Sequence, residues 1–387
     1  MNLKPIHKYQ TRKSHFTMRF FRKFSFWVLV TLPLLVLLFA AGKPVANPET
    51  LVLRNEALPF TPKEFYIANV IDARTNRKAV AYLIPVATTP QQATKAIPVD
   101  LQGGGHAAIS QFLQQSLRSN TTLRPVVIRL KEALVTEAPG TNGRIEGRIV
   151  VTMAFELNRD GETIPLVEYK GGARYVRSAN QLNVVEPALR KSLGNALVYL
   201  NTWMNQEAGH NEKLAKSIKV TFTDYKSTAE DDTVFYTLKR PLVWADFKGY
   251  PTKPSKYAAA VMPGFAYEGR SEVSEGIVHL NLLMKVFVLQ SSSWVKADAR
   301  NPYSLNHEQR HFEIAKLVAE RFKQKIKPDS LTISDYNSII QYKYIESFRE
   351  MNHLQEQYDA ETRHGLDELA QERWNRRLDA ELKTLLK

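Results

Sequence analysis

Residues 305–326 read LNHEQRHFEIAKLVAERFKQKI, and the reading of this run decides the fold of the C-terminal half. Leu305, Phe312, Ala315, Phe322 and Ile326 form an apolar stripe, and Ile314 and Val318 continue a line begun by His307 and His311. That spacing predicts an amphipathic helix. Four residues of helix turn through about 40° beyond a full circle, so the two imidazoles leave one face a turn apart. They stand at the edge of the buried side, where water is partly excluded and charges act more strongly. Two neutral imidazoles so placed can hold one Zn²⁺. Glu308 lies about 100° round from His307 and about 60° from His311, off the metal but near a water on it. A carboxylate there can act as general base, while zinc brings the pKa of such a water toward about 7.

Two ligands do not close a zinc site. After Ser291, Ser292, Ser293 and Trp294 the chain reads as helical to its end, with breaks near Pro328 and Gly365. A return helix starting near Ser334 comes level with the site around residues 350–358, which brings Glu350, His353 and Glu356 into contention as third ligand. Upstream, residues 218–223 and 233–238 read as strands, and residues 258–273 and 276–289 as a long antiparallel pair. Strands followed by helices give an α+β order.

Residues 61–210 read as a separate α+β module. Strands are expected at 64–74, 79–85, 126–134, 149–157 and 164–175, with helices around 109–117 and 189–203. Ile149, Val151, Met153, Phe155 and Leu157 alternate strictly, so that strand buries one face, and Arg159, Asp160 and Gly161 form its turn. Gly103, Gly104, Gly105 and His106 lack the lysine and hydroxyl residue of a P-loop and read as a loop. The expected organisation is therefore a leader (1–42), a Pro-rich linker (43–60), this module and a metal-binding domain (211–387).

Composition narrows the function classes. There are no cysteines in the 387 residues, which excludes disulfides, thiolate ligands and cysteine nucleophiles. Half of the net charge of +14 comes from Lys4, Lys8, Arg12, Lys13, Arg19, Arg22 and Lys23, so the rest is too dilute to signal nucleic-acid binding. Those basic residues precede FSFWVLVTLPLLVLLFAA at residues 24–41, followed by Lys43. This is the pattern of a secretory signal, with membrane anchoring through residues 24–41 as the alternative to cleavage. The expected location is outside the cytoplasm: periplasmic, secreted, or anchored on the outer side of the inner membrane.

Several separated stretches carry a resemblance over residues 236–387. LVWADFKG at 242–249, YAAA at 257–260, SWV at 293–295, HEQRHFEI at 307–314, YDAETRHG at 358–365 and Trp374 are similar to motifs of a bacterial family of predicted secreted zinc-dependent proteases. That family has W-x-D-F-x-G, HEQGHFDI and Y-D-x-E-T-x-H-G at the corresponding places. Arg310 stands for its glycine and Glu313 for its aspartate, which adds bulk and charge beside the site. The resemblance implies a zincin-like domain, with His364 as third zinc ligand beside His307 and His311. Gly365 suits a helix end from which that ring can be aimed across. Asp359 or Glu361 could orient an imidazole, and Tyr358 could donate to an oxyanion. The expected activity is zinc-dependent hydrolysis of a protein or peptide substrate with Glu308 as base. The alternative is a non-catalytic zinc-binding scaffold or partner-binding protein of the cell envelope.

Overall fold

Among the described residues eleven strands precede the long hairpin of residues 263–289, and three long helices follow it; the computed structural model describes residues 50–86, 95–250, 255 and 257–386. The expected leader and the first part of the expected linker lie outside the described residues. Among the described residues no helix is long and apolar enough to cross a membrane. The architecture is α+β.

The first strands are β1 (Thr50–Leu51), β2 (Phe65–Asp72), β3 (Ala81–Leu83) and β4 (Ile97–Leu101), followed by helix α1 (Gly105–Gln115). Then come β5 (Arg124–Pro139), β6 (Ile145–Arg159), β7 (Glu162–Arg177) and helix α2 (Val185–Glu207). They build a seven-stranded sheet in the order β1-β4-β3-β5-β6-β7, with β2 also paired to β5. The strands expected at 64–74, 79–85, 126–134, 149–157 and 164–175 contain or overlap β2, β3, β5, β6 and β7, whereas β1 and β4 were not expected. β1 has too few residues to show a period, and β4 carries Pro98, which weakens any strand reading. The expected turn between β6 and β7 is present. Asp160 and Gly161 have φ of 53° and 82°, as a tight two-residue hairpin requires. Leu189, Leu193, Leu197 and Leu200 of α2 are fully buried against this sheet.

The chain continues with β8 (Ser217–Asp224), β9 (Ala229–Glu230), β10 (Thr233–Phe235), β11 (Ala259–Ala260), β12 (Pro263–Ser274), β13 (Ile277–Leu289) and β14 (Trp294–Val295). Helices α3 (Pro302–Lys325), α4 (Tyr336–Thr362) and α5 (Glu368–Leu385) complete it. β12 and β13 pair antiparallel from Pro263↔Val288 to Ser274↔Ile277, and β8 joins β13 in parallel. The expected strand over 258–273 is interrupted. Pro263 has no N–H to give a ladder, and the Met262 N–H donates at 3.0 Å to Oγ of the buried Ser293 instead. The preceding residues turn away, and Ala259–Ala260 pairs with Trp294–Val295. β11 is thereby carried over to α3.

Helix α3 begins where its sequence says it should. The Asn301 side chain accepts from the Ser304 N–H at 2.9 Å, Pro302 occupies the first turn, and Lys323 and Lys325 sit in the last. Phe312, Ala315, Val318 and Phe322 are buried in one cluster with Phe265, Met284 and Val286 of the β12–β13 pair. The buried apolar side chains fall into two clusters, one from Leu51 to Leu214 and one from Ala215 to Leu382. At 3.3 Å Arg159 Nη1 donates across this junction to the Ala215 carbonyl.

Candidate metal centre

Three helices meet at the site. His307, Glu308 and His311 come from α3 and are only 6%, 5% and 8% exposed. α4 runs back alongside and brings Gln355, Tyr358 and Asp359 level with them; the first two fall within the expected window of 350–358 and Asp359 is one residue past it. α5 adds Gln371. Asp359 Oδ1 lies 3.3 Å from His307 Nε2 and 3.1 Å from His311 Nε2. Ligand atoms held about 2.0–2.1 Å from a tetrahedral zinc are about 3.3 Å apart, so each Nε2 stands from the carboxylate oxygen at the spacing of two ligands on one ion. His307, His311 and Asp359 are the group of described residues that could hold a metal ion, with ligand atoms all within 4.8 Å of one another.

The other nitrogen of each ring is engaged. Gln355 Nε2 donates to the His311 carbonyl at 2.9 Å, which turns Gln355 Oε1 toward the His311 ring to accept from Nδ1. His307 Nδ1 donates to Gln371 Oε1 at 2.9 Å, and Gln371 Nε2 donates to Asn375 Oδ1 at 2.9 Å. The His307 ring stacks on Tyr358 with centroids 4.8 Å apart.

Electrostatics follow from this crowding. Burial works to raise Asp359, but hydrogen bonds from His307 and His311 outweigh it and hold the carboxyl far below its ordinary range. For His311 burial opposes the charge, yet Asp359 and Glu308 carry the ring above the ordinary imidazole value. Burial pushes Glu308 up, partly offset by the charges of His311 and His307 and by a backbone hydrogen bond from Val261. Val261 follows β11, so the strand turned aside at Pro263 reaches the base itself.

The expected site residues are placed as follows. His307, Glu308 and His311 come together on one face. Asp359, expected as an orienting group, has its carboxylate oxygen between the two Nε2 atoms. His364 lies just past the end of α4, with Nδ1 3.4 Å from Asp359 Oδ2, a side chain 44% exposed, and its ring 4.6 Å from that of Tyr257. It stands outside the His307, His311 and Asp359 group. Arg363, His364 and Gly365 all have positive φ, of 51°, 56° and 81°. A side chain at Gly365 would meet His307 Cγ and Nδ1 at 3.3 Å, so glycine is required there by conformation and by contact. The Tyr358 hydroxyl accepts from Gln371 Nε2 at 2.6 Å and donates to the His307 carbonyl at 3.3 Å. Glu361 accepts from Trp374 Nε1 and from Gln357 Nε2, each at 2.7 Å, and is not brought to the cluster. Glu350 pairs with Arg321 and Lys325, both at 2.7 Å, well along α3 from the imidazoles. His353 and Glu356 are exposed. Arg310 joins Glu313 and, across to α5, Asp379.

Sequence reasoning missed Gln355 and Gln371. Gln355 had one available signal: it precedes Asp359 by four residues and so shares its helix face.

No family model matches the chain, and no curated protein matches it. Among solved structures it is similar to protein XCC0632 from Xanthomonas campestris, described under the family model DUF330. The two are 11% identical over 40% of this chain and 94% of that one, with a TM-score of 0.28. A superposition that loose carries no inference about fold or activity.

Proposed function

We propose that the protein is an exported zinc-dependent peptidase whose metal is held by His307, His311 and Asp359 and whose general base is Glu308. One observation carries this reading: two imidazole Nε2 atoms and a carboxylate oxygen converge at 3.1–3.3 Å beside a buried glutamate. The donor set fits zinc, with nitrogen and oxygen ligands and each imidazole oriented through its far nitrogen. When bound, zinc supplies Lewis-acid polarisation of a carbonyl and lowers the pKa of a coordinated water.

The chain's own residues do the rest. Asp359 contributes the negative charge that two neutral imidazoles lack. Glu308 Oε takes a proton from the attacking water, and its burial strengthens it as a base. The resemblance over residues 236–387 supports a zincin-like domain for the second apolar cluster, and that cluster's separation from the first supports a two-domain reading. His364, which the resemblance implies as a ligand, stands next to Asp359 at the mouth. Residues 24–41 and their basic flank support export or anchoring outside the cytoplasm. The substrate class is protein or peptide.

The test is metal content and cleavage of a peptide library by the purified protein. About one zinc per chain and cleavage that Glu308→Gln abolishes without loss of zinc are expected. Wild-type rates in that variant would overturn the mechanism.

A second reading is a non-catalytic zinc-binding scaffold of the envelope. The nearness of His364 Nδ1 to Asp359 favours it, because a fourth protein donor closes a zinc site to substrate. Zinc retained at full occupancy with no open coordination position, seen by X-ray absorption spectroscopy, would decide for it.

A further inference from the structure

We infer that Gln355 and Gln371 are positioning residues that accept the Nδ1 proton of His311 and His307 and so aim both Nε2 atoms at Asp359 before any metal arrives. The inference rests on reading His307, His311 and Asp359 as a metal centre. It goes further by assigning the preparation of that centre to two neutral amides on different helices.

A neutral imidazole carries its single proton on one nitrogen, and the hydrogen bond made by that nitrogen decides which. An amide oxygen can only accept. At His311 the orientation of the amide is fixed from within the same residue. The main-chain carbonyl of His311 can only accept, so Gln355 must present Nε2 to it and Oε1 to the ring. One side chain thus reads the backbone and the ring of a single ligand. At His307 the amide is held from outside. Asn375, one turn further along α5, accepts from Nε2 at 2.9 Å and the Tyr358 hydroxyl accepts from it at 2.6 Å, so Oε1 is left for His307 Nδ1 at 2.9 Å. Gln371 is only 1% exposed, so no water replaces a lost partner. Two rings on one helix are therefore aimed by two other helices, α4 for His311 and α5 for His307.

The choice of amide has a second effect. Carboxylates in these places would add two negative charges next to the imidazoles. With glutamines, Asp359 is the one anionic member of the convergent set, and a divalent ion bound there keeps a net positive charge. That favours polarisation of a bound carbonyl over maximal metal affinity.

Two measurements on the full chain test this. Long-range ¹H–¹⁵N spectra of the metal-free protein, taken well above the imidazole titration range, report each tautomer directly. Wild type is expected to carry a proton on Nδ1 of both rings. Gln371→Leu should disturb His307 alone and Gln355→Leu His311 alone, while Gln371→Glu and Gln355→Glu restore the pattern. Wild-type rings without a proton on Nδ1, or Leu variants with unchanged Nδ1 signals, overturn the inference. Chelator competition with zinc then gives affinities. Each Leu variant should bind about 10–100-fold more weakly than wild type, and each Glu variant at least as tightly as wild type. Folded Leu variants with wild-type affinity overturn it as well. A wild-type protein that shows the expected tautomers but takes up no zinc would sink the metal-centre reading and leave the positioning role standing.

Discussion

Each half of the molecule buries a cluster of polar side chains, and the two clusters are built on opposite principles. In the seven-stranded sheet Arg177 and Glu137 are both fully buried. Glu137 Oε1 accepts from Arg177 Nε at 2.7 Å and the Tyr175 hydroxyl at 2.6 Å, while Oε2 accepts from Arg177 Nη2 at 2.6 Å and the Ile84 N–H at 2.8 Å. Arg177 spends its remaining N–H groups on the carbonyls of Ile84, Ser178 and Ala179. Charge sums to zero and the donors meet acceptors. In the helical half the electron-rich atoms of His307, His311 and Asp359 point at one another, and their outer atoms are already engaged. Such an arrangement is comfortable only with protons or a cation at its centre. A closed and neutral cluster serves the fold; a convergent and unbalanced one awaits something from outside.

The comparison can be broken at either end. The largest effect is expected at Glu308. Its replacement by Gln should lower kcat/KM for peptide cleavage by about 10²–10⁴-fold with thermal stability and zinc content unchanged. Arg177→Met should do the reverse, costing about 3–5 kcal/mol in urea unfolding by stranding Glu137, with zinc affinity of the folded protein unaltered. The double variant with Glu137→Leu should recover most of that loss, since a buried pair is often replaceable by apolar side chains. A drop in zinc affinity in Arg177→Met would show that the two clusters are coupled and that the contrast is false.

Gly365→Ala comes next. The αL conformation and the His307 contact together should cost about 1–3 kcal/mol and weaken zinc binding, which calorimetry reads in both respects. The smallest effect belongs to Asp72. Its hydrogen bond with Arg74 holds the carboxyl down from 3.8 to about 2. The folded state binds fewer protons there than the unfolded chain, so the stabilisation is complete above 3.8 and is lost as pH falls toward 2. Asp72→Asn should flatten that part of the stability curve and leave the metal centre untouched.

Part of the site was legible because its chemistry has a period. His307 and His311 declare themselves by a four-residue step on an apolar face, and Asp359 lies within the quoted YDAETRHG stretch. Its position against both rings depends on the pitch and offset of α4 relative to α3, which no spacing within one helix encodes. Gln371 was silent and Gln355 signalled only by its four-residue step to Asp359, because a glutamine on a solvated helix is commonplace; only the ring it meets gives it meaning. The fold was legible to a similar depth. Long strands such as β6, with alternating Ile149, Val151, Met153, Phe155 and Leu157, were readable from their pattern. The departure of β11 from β12 was not, because it turns on a distant hydroxyl, that of Ser293, taking the Met262 N–H at 3.0 Å. Pro263 marked the place, but a proline alone does not say where the freed strand will go.

The order of these parts along the chain has a consequence in time. A polypeptide made amino end first completes every strand of the large sheet before it possesses a single member of the cluster. His307 then appears, yet its ring has no acceptor until Gln371, sixty-four positions later, has been added. A nascent chain therefore has no assembled centre to turn on its neighbours, and whatever the cluster does is withheld until residue 371 has been made.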